Sequence, residues 1–201
     1  MSRRRVSFTW VAVLLVPLML GCSSSEAESP EELVEKARAT GTRAAGDADF
    51  SEALKLTERA LEEDETFVPA HNVRINILLE MGRLDDVAAQ AQRLYEVEPT
   101  PDNHLYWCMA KEAANDDASS QKACYSDVVD SVEQSLETPA TNANYVMALK
   151  LLESPKFDDA VERYIAVQES EAAQEMARFQ FIERDRDAVI SDLFRVPSSG
   201  S

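Results

Sequence analysis

The chain has 201 residues, with 37 Asp and Glu against 20 Lys and Arg and a formal charge of −17 at neutral pH. That balance argues against nucleic acid as a partner, since gripping phosphates needs a basic face, and against a helix lying on anionic lipid. Only 5 glycines and no alternating β-branched run of strand length leave an all-α fold as the reading.

Arg3, Arg4 and Arg5 precede an apolar run from Val6 to Leu20, followed by Gly21, Cys22 and three serines. A basic start, a short apolar stretch interrupted by Pro17 and a small residue before a cut describe a secretory signal over 1–21 rather than a spanning helix. The segment Leu18-Met19-Leu20-Gly21-Cys22 resembles the bacterial lipobox, although Met19 stands where leucine is usual and Leu20 where a small residue is usual. The resemblance implies cleavage before Cys22 and acylation of that cysteine, palmitate included. Each buried methylene then adds about 0.8 kcal/mol of anchoring. An ordinary secreted signal with a chance cysteine is the competing reading. Ser23 stands where aspartate is the familiar inner-membrane retention signal, which implies the outer membrane, periplasmic face. Residues 22–30 are polar and read as a flexible tether. Cleavage would leave 17 basic residues against 37 acidic ones. Such a field attracts a basic partner, and is equally the mark of a generally acidic soluble surface.

Apolar and small residues then recur on one helical face at a fixed interval. Phe50, Ala53, Thr57, Ala60 and Leu61 are followed 34 residues later by Leu84, Val87, Ala91, Leu94 and Tyr95. Ahead of them, Ala37, Thr40, Gly41 and Ala44 correspond to His71, Arg74, Ile75 and Leu78. A third unit reads as Tyr106, Met109, Ala110 and Ala113, then a turn Asn115–Ser120 about two residues longer than the others, then Cys124, Val128 and Ser131. A fourth reads as Asn144, Met147, Ala148 and Leu151, then Phe157, Ala160, Tyr164 and Val167. The interval and the pattern resemble the tetratricopeptide repeat, a two-helix unit that stacks into a solenoid. The resemblance covers residues 31–170. Ala37, His71, Tyr106 and Asn144 stand where the family has tryptophan, and Glu65 where it has a closing proline, which Pro99 keeps. It implies a superhelix of about four hairpins with a C-terminal capping helix.

In that family the inner groove is lined at positions one, five and eight after the tryptophan. Carried over, these are Arg38, Thr42 and Ala45; Asn72, Asn76 and Leu79; Trp107, Lys111 and Ala114; Tyr145, Leu149 and Leu152. Aromatics, amides and two cations suit a peptide or helix of another protein. Trp107 and Tyr145 are the expected anchors, with packing of Trp107 between repeats as the alternative.

Cys108 and Cys124 remain after Cys22. If the first helix of the third unit ends near Asn115 and the second begins near Ser119, both cysteines sit at one height, and a bridge is expected. A loop of that size adds about 3 kcal/mol. Free buried thiols and metal ligation with His71 or His104 are the alternatives. Paired carboxylates at Asp85-Asp86 and Asp158-Asp159 open second helices, where the helix dipole favours them. No nucleophile motif or phosphate loop appears, so neither an enzyme nor a cofactor or metal is expected. Residues 171–195 read as capping helices, with Phe179, Phe181 and Phe194 as an alternative partner site, and 196–201 as a disordered tail.

The expectation is a lipid-anchored, periplasm-facing repeat protein that holds another cell-envelope protein or peptide, as a scaffold or assembly factor. The alternative is an immunity protein that neutralises a toxic effector delivered to the periplasm.

Overall fold

The structure, a computed structural model, describes residues 28–44, 46–114 and 117–195. The signal segment, Cys22, Ala45 and the 196–201 tail lie outside the described residues. Among those described, every regular element is helical.

Helix α1 (Pro30–Thr42) begins on a reciprocal cap. The Ser29 hydroxyl accepts from the Glu32 N–H at 3.3 Å, and the Glu32 carboxylate accepts from the Ser29 N–H at 3.2 Å. Pro30 at the first helical position supplies a ready φ angle and lacks an N–H that would go unused there. Glu28 pairs with Lys36 and, at 2.9 Å, with Arg59, and these bonds hold its carboxyl below the ordinary range. The tether expected over 22–30 is therefore too long: Glu28, Ser29 and Pro30 belong to the folded body.

Helices α2 (Asp47–Glu63), α3 (Val68–Glu80), α4 (Leu84–Val97), α5 (Pro101–Ala113), α6 (Ala118–Ser135), α7 (Ala143–Leu151) and α8 (Phe157–Ala166) follow. Each packs on the next, and the short connections at 43–46, 64–67, 81–83 and 98–100 force a reversal each time. The result is four successive hairpins. α1 also touches α3, and α5 touches α7, while residues of α3 and α5 line one cavity between them. Leu84 and Phe157 open α4 and α8 as the periodicity predicts. The third hairpin departs from expectation. Its turn is 114–117, no longer than 43–46, because Asp117 caps α6 by accepting from the N–H groups of Ser119 and Ser120, both at 3.0 Å. The extra length falls after it, in the 18 residues of α6 and a 3-10 turn at Pro139–Thr141.

The expected seam is buried. Ala37, Ala53, Thr57, Ala60, Val87 and Ala148 are wholly inaccessible, and Ala91, Leu94 and Ala160 nearly so. Small side chains at these crossings let paired helices approach closely. Two positions differ from the reading. Ser131 is exposed and Val132 takes the buried place, and Val167 lies just past the end of α8 with half its surface in water. The core has two parts, joined at α3: Val73 and Ile77 face α1 and α2, whereas Ile75 and Leu78 face the larger C-terminal cluster.

Polar groups caught inside are satisfied, as burial demands. His71, where a tryptophan would be expected, has Nε2 2.9 Å from the Glu65 carbonyl and Nδ1 2.6 Å from Gln90 Nε2. The pairing makes Nε2 the protonated nitrogen and Nδ1 the acceptor. Arg74 donates to the Leu54 carbonyl and to the Thr57 hydroxyl. The turn after α3 uses Gly82 at φ +66°, a left-handed conformation that lets Arg83 return its N–H to the Leu78 carbonyl.

Past α8 the chain continues as α9 (Glu171–Arg178), a π-helical turn at Phe179–Glu183 and α10 (Arg186–Phe194). α9 packs on α8, the π turn on α7, and α10 crosses back to α5. Lys150 fastens this return by donating to the carbonyls of Phe181, at 2.7 Å, and Arg184. The expected cap over 171–195 therefore does more than cover the last hairpin.

Candidate interaction groove

The wall made by α1, α3, α5 and α7 carries a chain of cavities. Arg38, Asn72 and Tyr106 stand at successive 34-residue steps, and all three line it. The first cavity, about 580 Å³, lies between α1 and α3, with Arg38, Gly41, Thr42, Asn76, Ile77 and Glu80 in its walls and Phe50 at one side. A Cβ at Gly41 would meet the Ile77 side chain at 3.4 Å, an ordinary contact. Asn76 also borders the second cavity, about 290 Å³, with Asn72, Ile75, Asp102, Asn103 and Tyr106. The third, about 390 Å³, is lined by Leu105, Met109, Asn144 and Met147 and is roofed by Val189, Asp192 and Leu193 of α10.

Residues of α10 thus line the third cavity and neither of the first two. α10 is held over α5 by Arg186, which donates two bonds to Glu112 at 2.5 and 3.0 Å and one to the Leu151 carbonyl at 3.0 Å. Tyr125 donates its hydroxyl to the same carboxylate at 2.7 Å. Phe194 sits against Tyr106, ring centres 5.6 Å apart, and Arg195 reaches Glu80 on α3 at 2.6 Å. Phe181 and Phe194 are buried by this packing and form no partner site, whereas Phe179 is exposed.

Of the residues expected to line the groove, Arg38, Thr42, Asn72 and Asn76 do so. Those from the third and fourth hairpins do not. Trp107 is half-buried in a stack that joins α4 to α5, 5.7 Å from Tyr95 and 5.8 Å from His104, with the Lys111 ammonium 5.4 Å from its ring. Lys111 also donates to Ser120 at 3.0 Å. Leu149 is wholly buried, and Tyr145 nearly so, giving its hydroxyl to Glu133 at 2.8 Å. Burial and that carboxylate push the Tyr145 phenol up to about 12. A one-residue slip accounts for part of the difference. Counting 34 from His71 reaches Leu105, not Tyr106, and one residue turns a helix by about 100°. Moved back by one, the register gives Tyr106 and Asn144, which line cavities, but also Ala110, Ala113, Ala148 and Leu151, which are buried; Met109 and Met147 line the third cavity at positions that the register does not give.

Cys108 and Cys124 join α5 to α6, sulfurs 1.99 Å and Cα atoms 5.7 Å apart. With His104 they are the one group of metal-ligand atoms within reach of each other among the described residues. Bonded together, the sulfurs have no thiolate to offer a metal. His104 is held in the aromatic stack, where burial lowers its pKa. With His71 bonded at both nitrogens, both histidines have structural partners.

No protein-family model matches the chain, and no curated protein shows significant similarity to it. What the wall offers is physical: a row of cavities in which amide and charged groups are set among apolar side chains.

Proposed function

We propose that this chain is a non-enzymatic, tetratricopeptide-like scaffold of the cell envelope, tethered through lipidated Cys22 to the periplasmic face of the outer membrane. Its inner groove grips a segment of another envelope protein. The observation that carries the reading is the open groove between α1, α3 and α5, where Arg38, Asn72 and Tyr106 recur at the 34-residue step. Exposed Asn72 and Asn76 supply donors and acceptors suited to a peptide backbone, and Arg38 and Glu80 supply charges of both signs at the rim. The lipobox resemblance at Leu18–Cys22 supports the anchor. Among the described residues no helix is long and apolar enough to cross a membrane.

The test is photo-crosslinking in intact cells, with the reactive group placed at Asn76 or Arg38 and, as a control, at Glu62, exposed on α2. A discrete adduct from the two groove positions and none from Glu62 is expected. Labelling that is indifferent to position removes the groove from the proposal. Loss of membrane association in Cys22→Ser is expected separately, and retention would remove the anchor.

A further inference from the structure

The element formed by α9 and its π turn is apolar on two opposite faces. Ala177 and Phe181 point inward, Phe181 meeting Tyr164 edge-on at 5.2 Å. Met176, Phe179 and Ile182 point the other way and are more than half exposed, at 64%, 52% and 55%. Surface helices of a globular protein carry one apolar stripe; a helix with two is built to be covered on both sides. A solenoid's terminal helix is expected to show water a polar outer face, because nothing stacks beyond it. Here the outermost face is an apolar ridge, a step of three residues between each of its members. The π turn, whose Arg184 N–H returns to the Phe179 carbonyl, lies within the ridge itself. Such turns often mark functional sites.

We propose that this ridge is a second docking surface, separate from the inner groove, and that its occupant is an amphipathic helix with a basic border. Charge selects the occupant. Glu171, Glu175 and Glu183 are exposed along the same element against a single exposed Arg178, and the chain as a whole carries −17. A helix with apolar residues at i, i+3 and i+7 and Lys or Arg beside them meets the ridge with its apolar side and the acids with its flanks. A second copy of this chain would bring the same acids and the same net charge against the ridge, and an anionic membrane would be repelled. Met176 suits the role, since an unbranched thioether adapts to varied apolar surfaces.

The experiment uses the full chain in nanodiscs of zwitterionic lipid, labelled at methionine methyl groups. It is titrated with an 18-residue synthetic helix of leucine and lysine in amphipathic register, then with the same helix carrying glutamate for lysine. The expected result is a saturable shift of the Met176 methyl signal with buried Met109 and Met147 unmoved. At least a tenfold loss of affinity is expected in Phe179→Ser and Ile182→Ser, with no response to the glutamate helix. Circular dichroism checks that the variants stay folded, which their exposure favours. The proposal is overturned by no shift of Met176, by binding that ignores both substitutions, by equal binding of the acidic helix, or by a Met176 shift on dilution alone, which would assign the ridge to self-association.

Discussion

Removing Arg186 tests whether α10 is locked onto the inner face by its ion pair. In Arg186→Met the side chain keeps its length but loses two bonds to Glu112 and one to the Leu151 carbonyl. The Glu112 side chain is only 12% exposed, so its carboxylate is left mostly buried with the Tyr125 hydroxyl as its remaining partner. Breaking a fully buried pair costs about 3–5 kcal/mol. Arg186 is 26% exposed and part of that cost is screened, so about 2–3 kcal/mol is expected. Glu112→Gln keeps an oxygen for Tyr125 while removing the charge, so adding it to Arg186→Met should recover about half the loss. The assay is urea unfolding followed by circular dichroism for both single variants and the double, giving the coupling from the cycle. Hydrogen exchange should show α10 amides losing protection before those of α3 and α4. A cost below about 1 kcal/mol for Arg186→Met, or no recovery in the double variant, would refute the lock.

Three further outcomes follow from the core. Replacing Cys108 and Cys124 together by alanine opens a bridge with a sequence separation of 16. It should cost about 3 kcal/mol and lower the melting temperature by about 6–12 °C in a scan without reductant. Gly82→Ala should cost about 1 kcal/mol through its left-handed φ alone, since nothing lies within 4 Å of the added methyl; urea denaturation of the single variant measures it. Burial raises the phenols of Tyr106 and Tyr145 from 10.0 to about 12, and raises Tyr125 further. A folded-state pKa above the unfolded one means stability intact below pH 10 and lost as pH climbs toward 12. Ellipticity at 222 nm and phenolate absorbance should therefore change together in that window, and phenolate formation without loss of helix would contradict the burial.

The fold was legible where the pattern is local. A buried face needs an apolar residue every three or four positions, so Ala53, Val87 and Ala160 identify their helices without tertiary information. Ser29 and Glu32 already hold the signature of a helix start, yet the polar run before them masked it as tether. The groove was legible only in its first half. A one-residue misplacement of the third unit, Tyr106 for Leu105, put Trp107 where Tyr106 belongs; Tyr145 was assigned from Asn144 and does not depend on that count. Bulky aromatics invite that slip, because an aromatic at a repeat's opening looks like the missing tryptophan. Nothing local announces the return of α10: Arg186 meets Glu112 across 74 residues and Arg195 meets Glu80 across 115.

That return divides the inner face. The part that α10 lines has Leu105, Met109 and Met147 facing Val189 and Leu193. The part that α10 does not reach is mixed, with Arg38, Asn72, Asn76 and Asp102 set among Phe50, Val73 and Ile77. Packing Val189 and Leu193 against Leu105, Met109 and Met147 places that hydrophobic contribution in folding. The Glu80–Arg195 pair marks the border between the two parts. Both side chains are about half or more exposed, so the pair contributes little to stability, and Arg195→Ala should leave melting unchanged while freeing Glu80 at the rim of the first cavity. A measurable drop in melting temperature would show instead that α10 is held from its far end.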